Sequence, residues 1–91
     1  MLWLDFYLPD CRSLKAKRSR IKPVIARLHK EFNISVAEVD YQDSWQRCQM
    51  LIAAAANEPK RAEIVLTKVI RYVERHWPDL PLTDEKLEII H

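Results

Sequence analysis

Glycine is absent from this chain of 91 residues. Phosphate-binding loops of nucleotide enzymes need glycines, because a residue without a Cβ lets the backbone approach the phosphates closely. The missing glycines therefore exclude a Walker loop and a dinucleotide-binding fingerprint in any recognisable form.

Cysteine and histidine are scarce and widely spaced. Cys11 and Cys48 fit no metal-binding or redox spacing, and His29, His76 and His91 show no ligand spacing. We therefore predict no metal site and no cofactor. Two unpaired thiols favour a reducing compartment, so we expect a cytoplasmic protein.

Long apolar runs and catalytic groupings are also missing. No run reaches the roughly 18 residues of a membrane span, and the N-terminus has no signal-peptide pattern. No Ser/His/Asp or Cys/His arrangement stands out, and Asp40 and Asp43 read as turn residues. The sequence predicts no catalytic residue, no small-molecule ligand and no membrane contact, so we do not expect an enzyme.

Positive charge, in contrast, is concentrated in one segment. Residues 11–30 contain eight Lys or Arg and no acid, whereas the rest of the chain has seven basic and thirteen acidic residues. The net charge of +2 hides this asymmetry, which indicates an anionic partner.

The hydrophobic periodicity predicts four strands and two helices in a single domain over residues 1–91. Alternation with a period of two predicts a strand from Leu2 to Leu8, which Pro9 ends. Further strands are predicted at residues 34–41, with a bulge near Ala37, at 44–56 and at 83–90. A helix is predicted over residues 59–76, capped by Asn57 and closed by Pro78.

The first helix is predicted from Ser13, a good N-cap residue, to about Glu31. Pro23 lies inside it, which favours either one bent helix or two shorter ones. Lys17 and Arg18 are expected at the margins of the buried stripe. Right-handed crossovers then give the order β-α-β-β-α-β, a four-stranded antiparallel sheet with two helices on one face: the α+β ferredoxin-like fold.

Three segments carry a resemblance to a known family. Residues 8–18 (LPDCRSLKAKR), 32–39 (FNISVAEV) and 42–47 (QDSWQR), together with Asn57, resemble the YlxP-like family, a bacterial domain of unknown function. The resemblance implies a ferredoxin-like fold and a gene beside those for translation initiation and ribosome maturation, but no activity. Asp40-Tyr41 departs from the Gly-His pair frequent in the family, so a positive φ there would be less easily adopted.

The basic helix is the first candidate site. We predict that it binds phosphates of RNA or of a ribosomal particle, and the alternative is a solubilising helix face. The residues predicted to bind are Arg12, Lys15, Lys17, Arg18, Arg20 and Lys22.

The open face of the sheet is the second candidate. It is predicted to form a homodimer or another protein interface. The alternative is that nucleic-acid bases stack on its aromatic side chains, although the Asp5 carboxylate among them would repel phosphate. The residues predicted at this interface are Trp3, Tyr7, Trp45, Arg47 and Leu51.

Overall fold

The computed structural model describes residues 1–55 and 58–89. The strands pair antiparallel in the order β2-β3-β1-β4, so the ferredoxin-like fold is confirmed. No helix in these two ranges is both long and apolar enough to cross a membrane. The elements in chain order are β1 (Leu2–Tyr7), α1 (Leu14–Glu31), β2 (Ile34–Asp40), β3 (Arg47–Ala54), α2 (Pro59–His76) and β4 (Leu82–Leu87).

The core lies between one face of the sheet and the two helices. Alternate residues of the central strands point into it, because side chains of a strand alternate between its two faces. Both helices add an apolar stripe of the expected spacing. The buried residues include Leu2, Leu4 and Phe6 of β1, Cys48, Met50 and Ile52 of β3, Ile21, Val24 and Leu28 of α1, and Leu66, Val69 and Val73 of α2.

Helix α1 begins as predicted. Ser13 is the N-cap, with extended φ and ψ of −163° and 161°, and its side chain accepts a hydrogen bond from the Ala16 N–H at 3.0 Å. The helix is continuous through Pro23, which confirms one helix rather than two. Pro23 is exposed, so the backbone carbonyl deprived of its usual donor lies on the side that water can reach.

Several predicted boundaries were wrong. Strand β3 begins at Arg47 rather than residue 44, so Trp45 lies in a loop and not on the open face of the sheet. The bulge predicted near Ala37 is present as a register shift slightly later in β2, between Glu38 and Asp40. Strand β4 spans Leu82–Leu87. The predicted cap Asn57 and the predicted ends of the last two strands, Ala56 and Ile90, lie outside the described residues.

Candidate nucleic-acid interface

Three cations of α1 form one exposed stripe, which we call the basic stripe: Lys15, Arg18 and Lys22. At about 100° per residue they fall within roughly 60° of each other on the helix. All three are exposed, and within residues 1–55 and 58–89 none of them forms an ion pair. Arg12, also exposed, stands immediately before the N-cap at the start of the stripe.

The first turn of α1 adds positive potential to this end of the stripe. It contains no acidic residue, and the helix dipole places partial positive charge at its N-terminus. One of the N–H groups in this turn, that of Ala16, already donates a hydrogen bond to the Ser13 side chain. The dipole therefore reinforces the fixed charges of Arg12 and Lys15 without supplying a separate site.

Lys17 does not share this surface, and its predicted place at the margin of the buried stripe was wrong. Its side chain is only 2% exposed and points between the helix and the sheet. The reason is its spacing, since Lys17 precedes Ile21, Val24 and Leu28 on the buried stripe of α1. Lys17 is therefore out of reach of a phosphate in this conformation.

Arg20 lies on the opposite flank of α1 from the basic stripe and is also engaged. Its guanidinium donates to the backbone carbonyl of Asp79 at 3.2 Å and lies 3.6 Å from the Asp79 carboxylate. Arg27, on the same flank, donates to the Tyr72 hydroxyl at 2.8 Å. This flank fastens α1 to α2 and the loop after it, so the outward, unengaged Arg20 that the helical pattern predicted is not what the structure shows.

The buried ammonium of Lys17 has two oxygen partners. Its Nζ lies 2.7 Å from Oε2 of Glu38 on β2 and donates to the backbone carbonyl of Tyr41 at 2.6 Å. Glu38 Oε2 accepts no hydrogen bond of regular geometry among the described residues, so its contact with Lys17 is an ion pair. The pair joins α1 to β2 beneath the sheet.

Cys48 on β3 belongs to the same buried cluster. Burial, followed by the negative charge of Glu38 and a hydrogen bond to it, raises the pKa of the Cys48 thiol from 9.0 to about 12, against the opposing effect of Lys17. Cys48 is therefore a protonated, unreactive thiol at neutral pH. Cys11 is a second buried free thiol, so neither cysteine is placed as an accessible nucleophile.

The carbonyl that Lys17 holds belongs to a residue with unusual backbone geometry. Tyr41 has φ of 63°, in the left-handed region that non-glycine residues seldom adopt. The Tyr41 N–H donates to Oδ1 of Asp40 at 2.7 Å, and the Arg47 guanidinium lies 3.9 Å from the centre of the Tyr41 ring. The positive φ of the Asp40-Tyr41 pair thus falls on Tyr41 and not on Asp40, the residue that stands where the resemblance places glycine, and these contacts hold Tyr41 in that conformation.

The loop of residues 41–46, which joins β2 to β3, is fastened to the start of α1. Gln46 donates through Nε2 to the Cys11 carbonyl at 2.8 Å, and its own carbonyl accepts from the Leu8 N–H at 2.7 Å. Lys17 holds the other end of the loop through Tyr41. Trp45 is 48% exposed on this loop, one residue before Gln46.

The open face of the sheet mixes aromatic and acidic groups. Trp3 pairs across the strands with Leu51 and Lys86, and the Lys86 ammonium lies 5.4 Å from the centre of its ring. Asp5 pairs with Asp84 and accepts from Gln49 Nε2 at 2.8 Å. Tyr7, at the end of β1, is 45% exposed. The structure thus places Trp3, Tyr7, Arg47 and Leu51 on this face and leaves Trp45 outside it.

The described residues contain no group of three or more His, Cys, Asp or Glu side chains that could hold a metal ion. A groove of about 330 Å³ on the open face is lined by Trp3, Asp5, Gln49, Asp84, Glu85 and Lys86. Its lining residues include no nucleophile paired with a base.

Comparison of the sequence with known proteins identifies the family of this chain. Residues 1–86 match the family described as "Protein of unknown function (DUF503)". The chain belongs to the DUF503 family. It is 34% identical over 79 residues, covering 87% of this chain and 85% of the relative, to a Bacillus subtilis (strain 168) protein described as "Uncharacterized protein YlxP".

Membership in DUF503 confirms the resemblance found in the three sequence segments. The family carries no assigned activity. The features of this DUF503 chain that bear on its function are the basic stripe, the loop of residues 41–46 and the open face of the sheet.

Proposed function

We propose that this domain is a cytoplasmic accessory factor that binds RNA or a ribosomal particle through the basic stripe. The observation that carries the proposal is the exposure of Lys15, Arg18 and Lys22 on one side of a helix, without an ion-pair partner in the described parts of the chain. Three cations at helical spacing can each approach a phosphate while the helix stays rigid.

The chemistry favours phosphate rather than base recognition by this stripe. Lysine and arginine neutralise phosphates and release condensed counterions, which gives affinity that falls with salt and depends little on sequence. The partial charge at the start of α1 acts in the same direction. The gene neighbourhood implied by the family resemblance also favours an RNA partner.

The proposal is tested by fluorescence anisotropy with a structured RNA hairpin at two salt concentrations. The variant K15A/R18A/K22A removes the stripe. We expect at least a tenfold weaker affinity at low salt, and a salt slope reduced by about 2 to 3, because three phosphate contacts are lost.

The matched control is R61A/K68A/R71A on α2. It removes the same charge from three exposed residues of the opposite helix. Equal weakening by both variants would mean that net charge alone attracts the RNA, and absence of binding by the wild type at low salt would refute the proposal. Circular dichroism checks that both variants are folded.

A second candidate function is a homodimeric interaction module that uses the open sheet face and binds no nucleic acid. The observation that favours it is the neighbouring pair Trp3 and Leu51, with Tyr7 exposed on the same strand. Apolar side chains exposed together on a sheet are typical of a protein interface.

A further inference from the structure

Trp45 is an exposed aromatic residue of the loop that is tied to the segment before the basic helix. The described residues stack no ring and no cation on its indole, whereas the nearby Tyr41 ring is already covered by Arg47. Its side chain is 48% exposed. An indole left free in this way has a flat face available to a partner.

The backbone that carries Trp45 is held in place from both sides. Gln46, the next residue, is tied to Cys11 and Leu8, and Tyr41 is tied to the buried Lys17. Cys11 directly precedes Arg12, and Lys17 is on α1 itself, so the same contacts fix the loop against the basic helix. A ligand on Trp45 therefore meets a platform that loses little conformational freedom on binding.

Asp43 is exposed on the same loop as Trp45, but the loop contacts the segment that leads into the basic helix. Trp3 lies beside Asp5 and Asp84, whose carboxylates repel phosphate. Trp45 directly precedes Gln46, whose side chain donates to the Cys11 carbonyl, and the exposed Arg12 directly follows Cys11. An aromatic face next to a row of cations is the arrangement with which proteins bind single-stranded nucleic acid.

We propose that the loop of residues 41–46 stacks one unpaired base on Trp45, while Arg12 and the basic stripe hold the flanking phosphates. The ligand class is single-stranded RNA, or an RNA loop, because a duplex hides the faces of its bases within the stack. The inference rests on the proposed function and adds to it a preference for unpaired segments.

The experiment measures the affinity of W45A and W45F by fluorescence anisotropy. The probes are a 12-nucleotide mixed-sequence RNA, the same strand as a perfect duplex, and the same strand with abasic sites. We expect W45A to bind the single strand about tenfold more weakly with an unchanged salt slope, and W45F to keep most of the affinity. Affinity for the duplex and the abasic strand is expected to be the same in W45A and wild type.

The two proposals fail in different ways. If K15A/R18A/K22A weakens binding of the single strand but W45A does not, the stripe binds phosphate and the stacking inference is refuted. If neither variant changes the affinity, both are refuted. A loss in W45A that is equal for the single strand and the duplex also refutes stacking. The variant W3A is the matched control for loss of a tryptophan elsewhere, and it should not discriminate between the probes.

Discussion

Lys17 and Glu38 form a buried ion pair between helix α1 and strand β2. A buried ammonium without partners would be strongly unfavourable, and this one is satisfied by a carboxylate and a backbone carbonyl. Glu38 keeps 24% of its side-chain surface exposed, which lowers the desolvation cost on its side. The pair therefore fixes α1, β2 and the loop of residues 41–46 relative to each other.

Breaking that pair should destabilise the fold. We expect K17M to lower the free energy of unfolding by about 3 kcal/mol, because it leaves Glu38 and the Tyr41 carbonyl without a donor. E38Q should cost less, since Glu38 reaches water. Urea denaturation of K17M, E38Q and the double variant measures the coupling, which we expect to exceed about 1 kcal/mol. Additive effects of the two substitutions would contradict the ion pair.

Cys48 should make stability fall in alkaline solution. Its pKa is 9.0 without the fold and about 12 within it, so between these values the unfolded chain has lost the proton that the native thiol retains. Stability is thus fully present below pH 9 and declines as the pH rises towards 12, by up to about 1.4 kcal/mol per pH unit from this group.

The measurement is urea denaturation of wild type and C48A at pH 8 and pH 10.5. C48A removes the thiol, so its free energy of unfolding should fall less between the two pH values than that of the wild type. The same decline in both proteins would show that other groups cause it.

At the scale of helices and strands, hydrophobic periodicity correctly predicted the features that depend on local sequence alone. The cap at Ser13, the end of β1 before Pro9 and the 18 residues of α2 follow from local chemistry, and all appear as expected. The start of β3 does not. Trp45 continues the alternating pattern, but the ladder between β1 and β3 ends at the pair Tyr7 and Arg47, with one bond from the Leu8 N–H to the Gln46 carbonyl beyond it. Pro9 has no N–H with which to continue that ladder.

The candidate site was predictable in part for the same reason. The pattern of α1 correctly predicted that Lys15 and Lys22 are exposed, whereas Arg18, which was expected at the margin of the buried stripe, is also exposed. The signal for the buried pair was also present, since Lys17 shares the spacing of Ile21 and Glu38 continues the inward alternation of β2. Their meeting depends on how α1 packs over β2, which no single segment encodes.

At the scale of the molecule, the fold separates the charges that the sequence had already concentrated. Cations without an ion-pair partner among the described residues line one flank of α1, whereas Asp5 and Asp84 lie on the far side of the sheet. The opposite surfaces therefore suit different partners. RNA binding on the helix and association through the sheet can be tested separately because neither surface shares a residue with the other.

Association through the open sheet face should depend on Leu51, which lies between Trp3 and Ala37 in the ladder. Sedimentation equilibrium should show a dimer for the wild type and a monomer for L51D, because a buried carboxylate opposes the interface. I64D places the same charge on an exposed aliphatic residue of α2 and should remain dimeric. A monomeric wild type, or equal behaviour of the two variants, would rule out this interface.

The salt dependence of that dimer separates it from RNA binding. Screening weakens contacts between cations and phosphates steeply, but it leaves the burial of apolar surface largely intact. Raising the salt concentration should therefore release RNA if the basic stripe binds it, whereas a dimer held by the open sheet face should persist. If the dimer dissociated over the same salt range, ion pairs rather than Trp3 and Leu51 would hold the two copies together.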